Sequence, residues 1–378
     1  MNPKTIRLRT FLRATLTVAA VIISSIAWAN PPDGVLDQTH ASVRAVMAVQ
    51  AEVTPELMRW PDVLGTAVGV DDSGTASLLV YVDQDGHGVS DVVRALPAQL
   101  RGIGVKAELT DKFRAFRGKP GGGGGGTSHT ASQTPPIQLG TSGGWSKDLA
   151  NGYCCGGTLG SLIQVNGVQY ILSNYHVFES DIFPGRDGTV AAAGDNIIQP
   201  GLIDVGCNAS SAQNVATLAK VSSLPGSNVD CSVAKVSSGM VRSDGAILEI
   251  GTISSQTVGA FINQAVKKSG RTTGLSRSKV SGLNATISIT YDNECAGGTA
   301  FTKVFSGQIV LANQGSSFLN SGDSGSLMVE DVTTNPRAVG LLYAGSSTSA
   351  IANPIAEVLE FLRVRVGGTV GTASMVGN

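Results

Sequence analysis

Asn320-Ser321-Gly322-Asp323-Ser324-Gly325-Ser326-Leu327 is the stretch on which the reading of this chain turns. Glycine at 322 lets the backbone bend so that its N–H and that of Ser324 point at one spot, an oxyanion hole. Asp323 can turn inward as a buried anchor, and Gly325 leaves room beside the Ser324 hydroxyl. Taken alone, the motif competes with an ordinary surface turn, because Gly, Ser and Asp are common turn residues and the chain holds 48 glycines.

A serine nucleophile needs a base, and histidine is the usual one near neutral pH. The chain has four histidines, His40, His87, His129 and His176. Only His176 lies well beyond the glycine run 121–126, in the same segment as Ser324. It ends the run Gln169-Tyr170-Ile171-Leu172-Ser173-Asn174-Tyr175-His176, which reads as a strand delivering the ring to a barrel rim. A carboxylate must orient the imidazole. Asp230 leads into Cys231-Ser232-Val233-Ala234, a core-strand sequence. Asp204 competes for the role, but it follows Pro200-Gly201 in a loop-like setting. The cysteine spacings match no zinc pattern, so neither a metal site nor an organic cofactor is expected.

The order His176, Asp230, Ser324 resembles that of the chymotrypsin/trypsin-like serine endopeptidases. Three flanks strengthen the likeness: Cys155-Gly156-Gly157-Thr158-Leu159, Lys268-Ser269-Gly270-Arg271-Thr272-Thr273-Gly274 and Ala344-Gly345-Ser346. The nearest pattern is the bacterial secreted branch with an N-terminal extension, and the resemblance covers roughly residues 140–366. It implies a mainly β fold, a chymotrypsin-like double β-barrel with a C-terminal helix, and peptide-bond hydrolysis by the triad. It also implies an oxyanion hole from the Gly322 and Ser324 N–H groups. The residue six before the nucleophile, Phe318, would lie at the base of the primary pocket. Tyr343, Ala344 and Gly345 are the alternative lining, and a base without a carboxylate favours small or apolar side chains.

No Ile/Val-Val-Gly-Gly motif follows the glycine run, where the chain reads Pro135-Pro136-Ile137-Gln138-Leu139-Gly140. Asp323 is therefore expected to find an internal cation, Lys268 first and Arg271 second. Val177, Lys267 and Arg277 stand where relatives carry disulfide cysteines, so the family's bridges do not transfer. Two rival readings use the same residues: a catalytically silent binding protein on this fold, and a serine esterase or acyltransferase. An α/β-hydrolase fits worse, since its elbow is Gly-x-Ser-x-Gly and its histidine comes last.

The full chain has 378 residues with a net charge of −1, which gives no reason to expect nucleic acid as a partner. A protein or peptide substrate is the expected one. Residues 1–29 carry Lys4, Arg7, Arg9 and Arg13, an apolar stretch over 14–26, then Ala27-Trp28-Ala29. That is the pattern of a secretory signal peptide, implying a secreted or periplasmic protein, and the stretch is too short for a membrane anchor. The five cysteines, Cys154, Cys155, Cys207, Cys231 and Cys295, leave at least one thiol unpaired and their connectivity open.

Residues 30–117 read as a small α/β N-terminal domain. It has a helical pattern over 36–60 broken at Thr54-Pro55, and strands over 64–70 and 76–82 around an Asp71-Asp72-Ser73-Gly74 turn. A helix over 91–100 broken at Pro97 and a strand over 104–109 complete it. Residues 118–137 read as a Gly/Pro-rich linker. Residues 138–378 read as the protease domain, with strand-like runs at 157–165, 168–173, 213–221, 230–236, 246–250, 286–291, 308–312, 326–329 and 338–343. A closing helix is expected over 353–362. The N-terminal region is expected to act as an intramolecular chaperone or lid, the alternative being a permanently attached accessory domain.

Overall fold

Alternating apolar residues in the C-terminal half build a closed antiparallel barrel. The strands Ala265–Gly270, Leu327–Glu330, Ala338–Gly345, Ser349–Pro354, Phe301–Ala312 and Gly274–Tyr291 pair in that order. Pairing of Ala265–Gly270 with Gly274–Tyr291 closes the ring and leaves those strands no free edge within it. The computed structural model describes residues 34–115, 128–150, 153–179, 191–291 and 300–378. The signal peptide read at 1–29 and the glycine run 121–126 lie outside them.

A second antiparallel sheet precedes the barrel. It runs Ala373–Met375, Ser161–Val165, Val168–Ser173, Ser232–Val236, Gln213–Leu218, Asn196–Gln199, Thr141–Trp145, Gly157–Leu159. The helix Ile355–Gly367 starts directly behind Pro354, whose fixed φ suits a helix entry. It leaves the barrel and buries Ile355, Val358 and Leu362 against Leu162, Val165 and Met375 of that sheet. The mainly β make-up and the closing helix are those the resemblance implies, while strand pairing closes a ring in one of the two sheets and leaves the other an open row.

The N-terminal region has the expected α/β make-up with two local differences. Its helix, Ala41–Leu57, is not broken at Thr54-Pro55. Pro55 falls in the last turn, and the Thr54 hydroxyl donates back to the Gln50 carbonyl at 2.7 Å. The second helix, Val89–Ala95, ends before Pro97 and carries the chain from Ala76–Asp83 to the parallel strand Ile103–Thr110. In the hairpin turn, Asp71 Oδ1 accepts from the Ser73 N–H and hydroxyl and from the Thr75 N–H, as the turn sequence implies.

The larger difference lies in how this region joins the rest. The sequence divides 30–117 from 138–378, whereas in the fold residues 35–378 form one compact unit. The strand Gly274–Tyr291 has 18 residues, enough to serve the barrel with its first half and present an edge with its second. Val63–Val70 takes that edge, with Gly65 opposite Ile287 and Val68 opposite Leu283. Gln50 Nε2 donates to the Asn284 main-chain carbonyl and Asn284 Nδ2 donates to Gln50 Oε1, both at 2.9 Å. Val43, Val46 and Leu57 share a core cluster with Val266, Val280, Met328 and Leu342.

Of the linker read at 118–137, residues 118–127 lie outside the described residues. Residues 128–137 are folded: Ile137 is fully buried and its N–H donates to the Met240 carbonyl at 2.8 Å. Gln133 bonds Gln138, Thr141 and Gln199. The run 246–250 is a turn and not a strand, burying Ile247 and Ile250 while the Leu248 N–H reaches the Leu139 carbonyl. Cys154 bonds Cys207, Cys155 is disulfide-bonded as well, and Cys231 is a buried free thiol whose pKa burial pushes up.

Candidate active site

Register brings the histidine and its carboxylate together. Val168–Ser173 pairs antiparallel with Ser232–Val236, with Ser173 opposite Ser232, so the residues after 173 and before 232 emerge at one end. There the chain turns into a single helical turn, Tyr175–Phe178, which carries His176; the strand itself stops three residues earlier. His176 Nδ1 lies 2.6 Å from Asp230 Oδ2, and both side chains are essentially fully buried. The Tyr175 and His176 N–H groups donate to Asp230 Oδ1 at 2.8 and 3.4 Å. Asn174 Nδ2 donates to the Asp230 carbonyl, and the Asp230 N–H donates to Asn353 Oδ1 from the barrel. With Asp230 ionised, Nδ1 carries the proton and Nε2 holds the basic lone pair. Among the described residues Nε2 has no hydrogen-bond partner.

Asp204, the sequence's alternative carboxylate, is committed elsewhere. The Arg271 guanidinium grips it in a fork, Nε at 2.9 Å and Nη2 at 2.5 Å. Arg271 is thereby also withdrawn from Asp323. That carboxylate instead faces Lys268 Nζ at 3.2 Å, both side chains fully buried. It further accepts from the N–H groups of Thr272, Thr273 and Asn320 and from the Thr273 hydroxyl. Burial holds the Lys268 ammonium below the usual lysine range, while Asp323 and Glu249 pull it back up.

The serine turn is held tightly from both sides. Gly322 and Gly325 have φ of 97° and 94°, values that favour glycine. The Gly322 carbonyl accepts from the Thr158 hydroxyl at 2.9 Å, and the Ser324 carbonyl accepts from the Thr158 N–H at 2.9 Å. A Cβ on Gly157 would lie 2.6 Å from Val177 Cγ2 and 2.9 Å from the Ser324 carbonyl oxygen. The histidine turn and the serine turn thus meet across Gly157. The Ser324 hydroxyl is fully buried and donates to the Tyr343 carbonyl at 3.2 Å; it is not bonded to His176. The Gly322 and Ser324 N–H groups have no acceptor among the described residues.

A Cβ at Gly325 would stand 2.2 Å from Ser173 Oγ and 2.4 Å from the Thr158 carbonyl. Gly325→Ala is therefore expected to cost about 3 kcal/mol or more, from backbone strain plus overpacking. Chemical denaturation measures this, and an unchanged midpoint would mean the two halves are free to part there.

The pocket expected around Phe318 is not open. Its side chain packs in the core with Val266, Val280, Met328 and Leu342, because the Asn313 carboxamide captures the Phe318 and Leu319 N–H groups and turns the segment inward. Tyr343 is fully buried beside Phe305, with ring centroids 5.1 Å apart. Ala344 and Gly345 are covered too: their strand pairs with Arg114–Ala115, Ala344 opposite Ala115 and Gly345 opposite Arg114. Sequence reasoning missed this strand, which is two residues long, and it missed Tyr291, Asn174 and Asn353 around Asp230. Tyr291 ends an alternating run, but nothing local marks its hydroxyl as a partner for a carboxylate.

Residues 216–353 match a family described as the Nal1 C-terminal domain. No curated protein matches the chain by sequence. Among solved structures, a glutamic-acid-specific serine protease, described as using a histidine triad in substrate binding, aligns with a TM-score of 0.41 at 16% identity. The alignment covers 63% of this chain and 100% of that one. Thermobifida fusca Protease A gives 0.40 at 16% identity, covering 64% and 99%. Cellulomonas bogoriensis chymotrypsin gives 0.36 at 18% identity, covering 64% and 99%. The chemistry of the site is read from its own side chains.

Proposed function

We propose that this chain is an exported serine endopeptidase whose N-terminal region covers the substrate edge in the resting form. The observation that carries the reading is the buried His176–Asp230 contact at 2.6 Å, with Nε2 lacking a hydrogen-bond partner among the described residues and the histidine and serine turns meeting across Gly157. In the first step the Ser324 hydroxyl leaves the Tyr343 carbonyl and donates to Nε2. His176 then accepts the proton as Ser324 attacks the scissile carbonyl, and Asp230 stabilises the imidazolium. The Gly322 and Ser324 N–H groups, which have no acceptor among the described residues, receive the oxyanion. His176 returns the proton to the leaving amine, and water repeats the cycle on the acyl-enzyme. No step so written calls on a metal or organic cofactor. A fluorophosphonate that labels the parent protein and spares Ser324→Ala protein tests this. Absence of labelling after removal of the cover would favour a silent binding protein, and turnover confined to ester substrates an esterase.

The cover is the strand Arg114–Ala115. An extended peptide substrate binds by adding a strand to an exposed edge, and the edge at Ala344–Gly345 is already taken. Asp111 Oδ1 further accepts from the Ser347 N–H at 2.8 Å, and the Thr110 hydroxyl donates to Ser346 Oγ at 2.6 Å. Cutting the glycine run and displacing the N-terminal fragment is expected to raise peptide turnover. Because Asp323 has Lys268 beside it, the gain should not depend on which new N-terminus is made. Protein whose linker, or tether, is cut at either of two positions within 121–126 checks this; activity from only one of the two cuts would point to a covalent trigger.

A further inference from the structure

Asp230 Oδ2 accepts two hydrogen bonds, one from His176 Nδ1 at 2.6 Å and one from the Tyr291 hydroxyl at 2.8 Å. Tyr291 is the last residue of the strand Gly274–Tyr291 and is itself buried, 4% exposed. Its ring stacks on Phe301, with centroids 4.7 Å apart and planes 5° from parallel, and meets the His176 ring edge-on at 6.0 Å. One residue earlier, the Thr290 N–H donates to the Phe113 carbonyl, so the end of the strand is braced by the N-terminal region.

Among the described residues, the donors to the Asp230 carboxylate besides the imidazole are the Tyr175 and His176 N–H groups, both on Oδ1, and this phenol. A fully buried carboxylate needs its lone pairs occupied if it is to stay charged. The phenol supplies the second donor on the oxygen that faces His176. It fixes the rotation of the carboxylate and holds Oδ2 on the line to Nδ1. It also draws charge from Oδ2 and so tempers the pull on the Nδ1 proton. We propose that Tyr291 is a positioning residue for the triad, acting through Asp230 without touching substrate. The inference rests on the serine-endopeptidase reading only for its effect on rate; the hydrogen bond itself is testable without turnover.

Tyr291→Phe removes one oxygen and keeps the ring, and Phe301→Leu loosens the stack and keeps the phenol. In the full chain, the low-field proton resonance of the His176 Nδ1–H is expected to move in Tyr291→Phe protein and to stay in place in Phe301→Leu protein. In protein with the tether cut and all residues retained, Tyr291→Phe is expected to lower kcat about tenfold, the loss of one hydrogen bond to a charged group, with KM unchanged. An unmoved resonance, or equal effects from both variants, would assign Tyr291 to packing alone and overturn the inference. If the parent proves inert toward both fluorophosphonate and peptides, the endopeptidase reading fails while the resonance still decides the role of Tyr291.

Discussion

Ser324→Ala protein, its tether cut, is expected to hydrolyse peptides roughly 10⁴–10⁶-fold more slowly than the parent, and His176→Ala protein by a similar factor. The similarity follows from the geometry. On the proposed reading the Ser324 hydroxyl is a poor nucleophile without Nε2, and among the described residues Nε2 has no other hydrogen-bond partner. Either deletion therefore abolishes the same step, worth about 5–8 kcal/mol of barrier at 1.36 kcal/mol per decade. Combining the two should add little to either alone. Asp230→Asn is expected to lose about 10⁴-fold, because the amide would present the wrong partner to Nδ1 and impose the other tautomer. Rates measured beside thermal unfolding separate chemistry from folding, most cleanly for Ser324→Ala, which removes a hydroxyl that among the described residues bonds only the Tyr343 carbonyl. Near-normal hydrolysis by Ser324→Ala protein would end the endopeptidase reading.

Much of the site was legible because its signals are local. The glycines at 322 and 325 announce a turn that other residues strain to make, and both do adopt positive φ. Asp230 could be preferred to Asp204 because core-strand sequence follows it, and the register of that strand is what aligns it with His176. Lys268 could be ranked ahead of Arg271 as the partner of Asp323 only through the family likeness. The structural reason, that Asp204 occupies Arg271, is a contact across 67 residues.

What escaped the sequence is contact between distant segments. The helix Ala41–Leu57 advertises an apolar face through Val43, Val46 and Leu57, but amphipathicity does not say which surface covers it. That surface belongs to the barrel, so a glycine-rich run that looked like a domain boundary joins two parts of one core. Phe318 illustrates the same limit. Its position in the motif suggests a pocket base, while its neighbours Val266, Val280 and Met328, all remote in sequence, place it in the core.

Lys268→Met is expected to destabilise the protein by about 3 kcal/mol and to lower kcat about 10²–10³-fold, with a smaller change in KM. Breaking a buried ion pair from one side strands the other charge, which typically costs about 3–5 kcal/mol. The low end applies here because Asp323 keeps four neutral donors, three backbone N–H groups and the Thr273 hydroxyl. Burial already disfavours the Lys268 cation, so part of what the pair returns is spent on desolvation. The catalytic loss arises one residue away. Asp323 lies between Gly322 and Ser324, and on the proposed reading its inward side chain fixes the direction of the two N–H groups that would receive the oxyanion; losing one oxyanion donor costs about 10²–10³ in kcat. Asp323→Asn added to Lys268→Met removes the stranded charge while retaining an acceptor for the backbone donors. The double variant should therefore recover most of the stability. Its activity should recover only as far as the carboxamide reproduces the turn. Urea midpoints and kcat of the parent, both single variants and the double close the cycle. A Lys268→Met protein with unchanged midpoint and kcat would mean the four neutral donors suffice to hold Asp323, and the buried cation would then have no part in shaping the oxyanion turn.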